Sequence, residues 1–391
     1  MLDAEVGKLR APDGLVRRAG GLSAGLDRIN WDFVERPKTS AVESIHPYPA
    51  KFIGDIPRSL IETIGLPADT IVFDPFCGSG ATLVESQRLG CQAVGIDLNP
   101  IACLLSRVKT KPLPRGIQKV WADVILSSRF SAGVSGAGAT IPNVEHWFKP
   151  DVRRALAAVV QSIRSDAPAR THDFLFAALS SIIVRVSNQE SDTRYAAISK
   201  GVAGDDVFEE FEASCNRLQK ALSLRDYPLT SCHIIEGDTL GADVETIGRN
   251  VGLVITSPPY PNAYEYWLYH KYRMWWLGYD PIQVREQEIG ARAHYFKKNH
   301  QTEDDFRRQM TQVFGLLQQV LVHGGHACFI IGRSKIHGRL INNAELLCAA
   351  AARHQLRLVY ERERVIRSDR KSFNLSYAKI KTETLLVFRA E

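Results

Sequence analysis

Ile71-Val72-Phe73-Asp74-Pro75-Phe76-Cys77-Gly78-Ser79-Gly80, read on as far as Asp97, decides the fold of this chain. The first four residues are a short, partly β-branched run that Pro75 and the glycines stop, so they read as a strand entering a tight turn. Ala81 to Leu89 then takes up helical spacing and is closed by Gly90. Ala93-Val94-Gly95-Ile96-Asp97 follows as a second strand that ends in an acid. Strand, helix and strand in that order predict a βαβ unit and a parallel sheet. Upstream, Ile56, Leu60, Ile61 and Ile64 share one helical face, ending at Gly65 before Pro67. Downstream, strand chemistry returns at His233–Glu236, Leu253–Ile255, Cys328–Ile331 and Leu385–Phe388.

Four regions follow: a polar arm over residues 1–44, a cofactor half over 45–110, a mainly helical insertion over 111–231 and a catalytic half over 232–391. The insertion opens on a Gly/Ser/Ala stretch, 131–140, expected to be a flexible loop, and continues with amphipathic segments near 152–163, 174–186 and 207–222. At 391 residues, 45% hydrophobic and 24% charged, the composition excludes collagenous, low-complexity and disulfide-scaffold classes. The apolar stretch 174–184 contains two serines and falls short of the roughly 20 residues of a membrane helix, and the first twenty residues lack a secretory core. A soluble, cytoplasmic protein is expected. Seven cysteines without a CxxC pair indicate reduced thiols and no metal. A net charge of +6 is mild evidence for a polyanionic partner.

Two segments carry chemistry. In the turn after Asp74 the glycines let backbone N–H groups approach a ligand, although Leu83 stands where a dinucleotide fingerprint has its third glycine. Asp97 suits a ribose diol, because a carboxylate accepts from both hydroxyls; an adenosine-containing cofactor is the reading, and a tight turn plus a surface acid the bland alternative. Thr256-Ser257-Pro258-Pro259-Tyr260 follows a strand, and its two prolines end the ladder and stiffen the loop. The Ser257 hydroxyl and the Pro258 carbonyl are acceptors beside the flat face of Tyr260, which matches an amino group on a planar base. Read blandly, the loop only caps a strand.

DPFCGSG, GID and TSPPY resemble motifs I, II and IV of the S-adenosylmethionine-dependent DNA amino-methyltransferases, and His46-Pro47-Tyr48-Pro49-Ala50-Lys51-Phe52 resembles their motif X. The resemblance implies a Rossmann-like class I methyltransferase fold with a seven-stranded, mostly parallel sheet. It implies S-adenosylmethionine held by His46, Lys51, Phe52, Asp74, Phe76, Cys77, Gly78, Gly80, Asp97, Asp238 and Thr256, with Cys77 a small packing residue in the turn. Ser257, Pro258, Pro259 and Tyr260 would be catalytic, acting on a base flipped out of double-stranded DNA. A cognate restriction endonuclease is a further partner that the resemblance allows.

Serine at the head of the tetrapeptide favours cytosine N4, with adenine N6 as the alternative. RNA or protein amino-methylation, a dehydrogenase and a catalytically silent DNA-binding subunit are weaker readings. Cytosine C5 chemistry would need a Pro-Cys nucleophile, and the chain has no such dipeptide. For DNA contact the sequence points to Lys109, Lys111 and Arg115, within an acid-free run from Arg107 to Lys119. It also points to Tyr264, Lys271 and Arg273 in an aromatic-basic stretch. Asn188 and Arg194 lie in a polar run, 187–195, that either reads base edges or is a disordered loop.

Overall fold

The computed structural model describes residues 21–34, 40–49, 52–133, 140–192, 194–261, 264–296, 300–366 and 382–391. Residues 1–20 and 35–39 of the arm, Lys51 and most of the glycine stretch, 134–139, lie outside the described residues. The seven strands of the main sheet are β1 (Ile71–Asp74), β2 (Ala93–Asp97), β3 (Cys232–Glu236), β4 (Val251–Thr256), β5 (Leu321–Gly332), β6 (Leu356–Val365) and β7 (Thr382–Ala390). Their spatial order is β6-β7-β5-β4-β1-β2-β3. Only β7 runs against its neighbours, so the architecture is the expected Rossmann-like sheet. The order reverses between β1 and β4, and in open α/β sheets the ligand crevice lies at such a switch point, beyond the carboxyl ends of the strands.

Helices cover both faces. On one, α1 (Asp55–Ile64) and α2 (Ala81–Arg88) bury Ile56, Leu60, Ile61 and Leu83 against Val72, Leu253 and Ile255. Leu83 fits because Gly95 faces it from β2; a methyl group on Gly95 would stand 2.8 Å from Leu83 and 2.9 Å from Cys77. The small residue that a dinucleotide turn places on its helix is here placed on the strand. Overpacking of this kind costs about 1–3 kcal/mol. α3 (Pro100–Thr110) begins where Asn99 accepts from the Ile101 N–H at 3.0 Å and Pro100 occupies the first turn.

The region 111–231 supplies α4 (Ile117–Ser131), α5 (Pro150–Ser165), α6 (His172–Ile182) and α7 (Gly204–Ser223). Leu156, Phe174, Leu179 and Phe211 from these helices join Leu105 of α3 and Trp276 of α8 (Tyr266–Leu277) in one buried cluster. The polar run 187–195 is not a disordered loop: Gln189–Ser191 and Arg194–Ala197 pair as an antiparallel hairpin. On the remaining side α9 (Glu303–Val320) and α10 (Asn343–Ala351) pack on β5 and β7. Among the described residues no helix is long and apolar enough to cross a membrane.

Candidate active site at the carboxyl edge

The turn after β1 is held by its neighbours' side chains. The Gly78 N–H donates to Asp97 Oδ2 at 2.8 Å, the Asn99 N–H to Oδ1 at 2.8 Å, and Ser106 Oγ to the Gly78 carbonyl at 2.9 Å. Gly80, at φ +83°, lies so close to α3 that a Cβ there would stand 2.8 Å from Ser106 Oγ. Burial pushes the Asp97 carboxyl up to about 6, against the Asn99 and Gly78 hydrogen bonds that favour its ionised form. Each Asp97 oxygen takes one of these bonds and keeps a further acceptor site, as a ribose diol requires. Cys77 is buried and burial raises its thiol well above the ordinary range, which suits a packing residue and no nucleophile.

The segment after β3 is tied to the ends of β2 and β1. The Gly237 N–H donates to the Asp97 carbonyl at 3.0 Å, Thr239 Oγ1 donates to the Pro75 carbonyl at 2.5 Å, and Asp238 accepts from the Leu240 N–H at 2.9 Å. Tyr48 covers the other side: its hydroxyl would lie 3.5 Å from a Cβ on Gly78, and its ring packs on Tyr266 at 6.0 Å and His270 at 5.1 Å.

The loop after β4 stands beside this crevice. Thr256 Oγ1 donates to Asp74 Oδ1 at 2.6 Å, and the Phe76 N–H donates to the same oxygen at 3.1 Å. One carboxylate thus ties the two chemical loops together; burial pushes it to about 6, opposed by the bonds from Thr256, Thr82 and Phe76. Ser257 and Tyr260 are half-buried and Pro258 is buried. Gly290, at φ +75°, presses on this loop so closely that a Cβ would meet the Tyr260 carbonyl oxygen at 2.7 Å. Nearby, the Glu288 carboxylate accepts from the Tyr266 and Trp267 N–H groups at 2.8 and 2.7 Å, fastening the start of α8. Burial, with Glu265 and Asp97 adding, pushes Glu288 up to about 8.

Several sequence-based assignments change. Asp74 and Thr256 are buried and bonded to each other, so they shape the crevice without facing it. Both ring nitrogens of His46 are engaged: Nδ1 donates to the Pro47 carbonyl at 2.6 Å and Nε2 meets Ser180 Oγ at 2.9 Å. Lys109 is buried and its ammonium donates to the Ser79 carbonyl at 2.6 Å, so it offers nothing to a phosphate. Arg273 is fully buried, bonded to Asp192 and to the carbonyls of Ser180 and Tyr269.

Lys271 stands over the rings of Tyr272, Tyr195 and Trp147 at 4.8, 5.1 and 5.6 Å. These two cations clamp the 189–197 hairpin to α8. On that hairpin Arg194 is exposed and pairs with Glu190 at 2.8 Å, while Asn188 donates to the His146 carbonyl at 3.1 Å. Tyr264 is half-buried, its ring 6.0 Å from that of Tyr266.

Lys111 and Arg115 are exposed, but α3 carries them to the amino end of the sheet. Gln87 Nε2 there bridges the Thr110 carbonyl at 3.0 Å and that of Thr230, just before β3, at 2.7 Å, and Lys111 pairs with Asp173 at 3.2 Å. The acid-free spacing carried no information about which edge the cations would reach.

With this geometry in view, residues 27–107 match the DNA methylase family. The type II methyltransferase M.MjaII of Methanocaldococcus jannaschii is 33% identical over 104 residues, 25% of this chain and 19% of that protein. M.MvaI of Kocuria varians is 28% identical over 180 residues, covering 42% and 40%. M.BsoBI of Geobacillus stearothermophilus is 24% identical over 282 residues, covering 62% and 55%. The chain therefore spans about half or less of the lengths of these relatives. The rRNA methyltransferase aviRa of Streptomyces viridochromogenes aligns over 91% of this chain and 94% of its own at 13% identity, with a TM-score of 0.35. The open acceptors of Asp97 beside the Gly78 turn fit the ribose of S-adenosylmethionine, the cofactor that the sequence motifs imply.

Proposed function

We propose that this protein transfers a methyl group to the exocyclic amine of a base flipped out of double-stranded DNA, and that the base is cytosine. The observation that carries the reading is the Ser257–Tyr260 loop at the sheet's switch point, joined through Asp74 to the turn that Asp97 holds. An exocyclic amine is a weak nucleophile because its lone pair is delocalised into the ring. Ser257 Oγ and the Pro258 carbonyl accept its two hydrogens, so the nitrogen becomes pyramidal and its lone pair is aimed. Asp97, Gly78 and Phe76 orient the cofactor, which supplies an electrophilic methyl on its sulfonium. Placement and fixed dipoles lower the barrier, and no strong base is needed. The half-buried Tyr260 ring offers the extruded base a stacking plate.

Serine at position 257 is what supports cytosine N4 over adenine N6. The type II methyltransferase names of the relatives support a partnership with an endonuclease of the same recognition sequence. Duplex DNA incubated with the protein and labelled S-adenosylmethionine, digested to nucleosides and resolved by mass spectrometry, tests the reading. N4-methylcytosine is expected, N6-methyladenine would overturn the base assignment, and label on protein or RNA alone would overturn the substrate class.

A further inference from the structure

Since the Lys111 cluster lies at the far edge, the cations that could hold a duplex above Ser257 must come from elsewhere. β5 runs parallel to β4 with Phe329 opposite Thr256, and it ends at Gly332, three residues further on. At about 3.3 Å per residue this carries the chain roughly 10 Å beyond the base of the catalytic loop. There Ser334–Ile336 and Arg339–Ile341 pair as an antiparallel hairpin, with His337 and Gly338 at φ +46° and +85° forming its tight turn. Ser334 and Ile336 face inward while Arg333, Lys335, His337 and Arg339 are exposed. From Phe329 to Ala344 the sequence contains no acid.

The hairpin is rigidly based. Ile336 and Ile341 pack with Tyr295, and the fully buried Asn343 donates to the Gly332 carbonyl at 2.8 Å and to Ser334 Oγ at 2.7 Å. The segment carrying Tyr295 leads back to the catalytic loop: Glu265 accepts from the Ala293 N–H at 3.2 Å, and Gly290 lies against Tyr260. Among the described residues, Glu363 lies 3.8 Å from Arg333 and Glu303 3.5 Å from Arg339. Exposed pairs at such distances contribute little and can be exchanged for phosphates.

We propose that this hairpin is the arm by which the protein grips the backbone of duplex DNA beside the flipped base. The proposal rests on the DNA methyltransferase reading above. A two-stranded ribbon has the dimensions to enter a major groove, and its charge is complementary to phosphate.

The test is DNA binding and methylation across a salt series with the triple variant Arg333→Ala, Lys335→Ala, Arg339→Ala. Arg249→Ala, an exposed arginine before β4 at the opposite edge, is the control, and R333K/R339K together with K335R is the charge-retaining variant. In the triple variant the slope of log affinity against log salt should fall by about 2–3, and the KM for DNA should rise roughly tenfold or more. Affinity for S-adenosylmethionine and kcat at saturating DNA should be unchanged. The charge-retaining variant should restore the slope, and Arg249→Ala should leave KM as in the parent. A triple variant that methylates DNA with the parental slope and KM overturns the arm and leaves the methyltransferase reading standing. A loss equalled by the Arg249 control also overturns it, and a parent that neither binds nor methylates DNA overturns both.

Discussion

The turns after β1 and β4 lie side by side, yet they are built in opposite ways. After β1, side chains reach in to hold the backbone: Asp97 binds the Gly78 N–H and Ser106 binds its carbonyl, both from the elements that follow directly. After β4 the loop is stiffened by its own prolines and then supported from a distance, by Gly290 against the Tyr260 carbonyl and by Glu288 on the start of α8. A turn held by adjacent elements leaves a local signature in the sequence. A loop braced by backbone some thirty residues away does not.

The largest expected effect tests the catalytic loop alone. Ser257→Ala should leave cofactor and DNA affinity nearly intact and lower the single-turnover methylation rate on the order of 10²-fold, as for loss of one preorganised hydrogen-bonding group. Full activity would remove the loop from catalysis. Asp97→Ala tests the other turn: calorimetry should show S-adenosylmethionine binding weakened by roughly 1.5–3 kcal/mol, the loss of hydrogen bonds to a charged group. Unchanged affinity would free the crevice of its cofactor assignment.

Gly290→Ala sharpens the contrast. Its φ of +75° and the 2.7 Å approach to the Tyr260 carbonyl leave no room for a methyl group, so the Ser257–Tyr260 loop must shift. Stability should fall by about 1–3 kcal/mol in denaturant melts, and kcat should fall while cofactor affinity holds. Equal losses in kcat and cofactor affinity would show that the two turns are not separable.

The smallest effect on activity is expected from Glu288→Gln, which keeps the shape of the brace and one of its two acceptors and removes its titration. Because the folded protein holds this carboxyl at about 8, above the ordinary glutamate range, its contribution to stability is complete at low pH. That contribution is lost as pH rises toward and through 8. The parent's melting temperature should therefore decline relative to the variant between about pH 5 and 9. Parallel melting curves across that range would show Glu288 to be ionised throughout in the folded state.

Much of the cofactor half was legible because its signals are local. Ile71–Asp74, Ala93–Asp97 and the glycine turn announce strand, strand and close approach within one βαβ unit. The amphipathic helices of 111–231 showed in their periodicity, but the hairpin at 189–197 did not. Its short, polar strands are held by Arg273 and Lys271 from α8, and no spacing within the run reveals those partners.

The sequence by itself determined a glycine turn between strand and helix with an acid at the end of the next strand, a serine and a proline carbonyl presented together, and a mostly parallel sheet to hold them. Those features depend on residue types within a few positions of one another, where covalent geometry and side-chain chemistry act directly. Tertiary structure alone decided which of these groups are buried and at which end of the sheet each cation stands. It buried Lys109 and Arg273, turned Asp74 and Thr256 into a strut, and carried Lys111 to the far edge. It also set Arg333, Lys335 and Arg339 on an exposed hairpin beyond the carboxyl end of β5. Burial and the choice of sheet edge come from packing between segments far apart in the chain, and no local pattern encodes them.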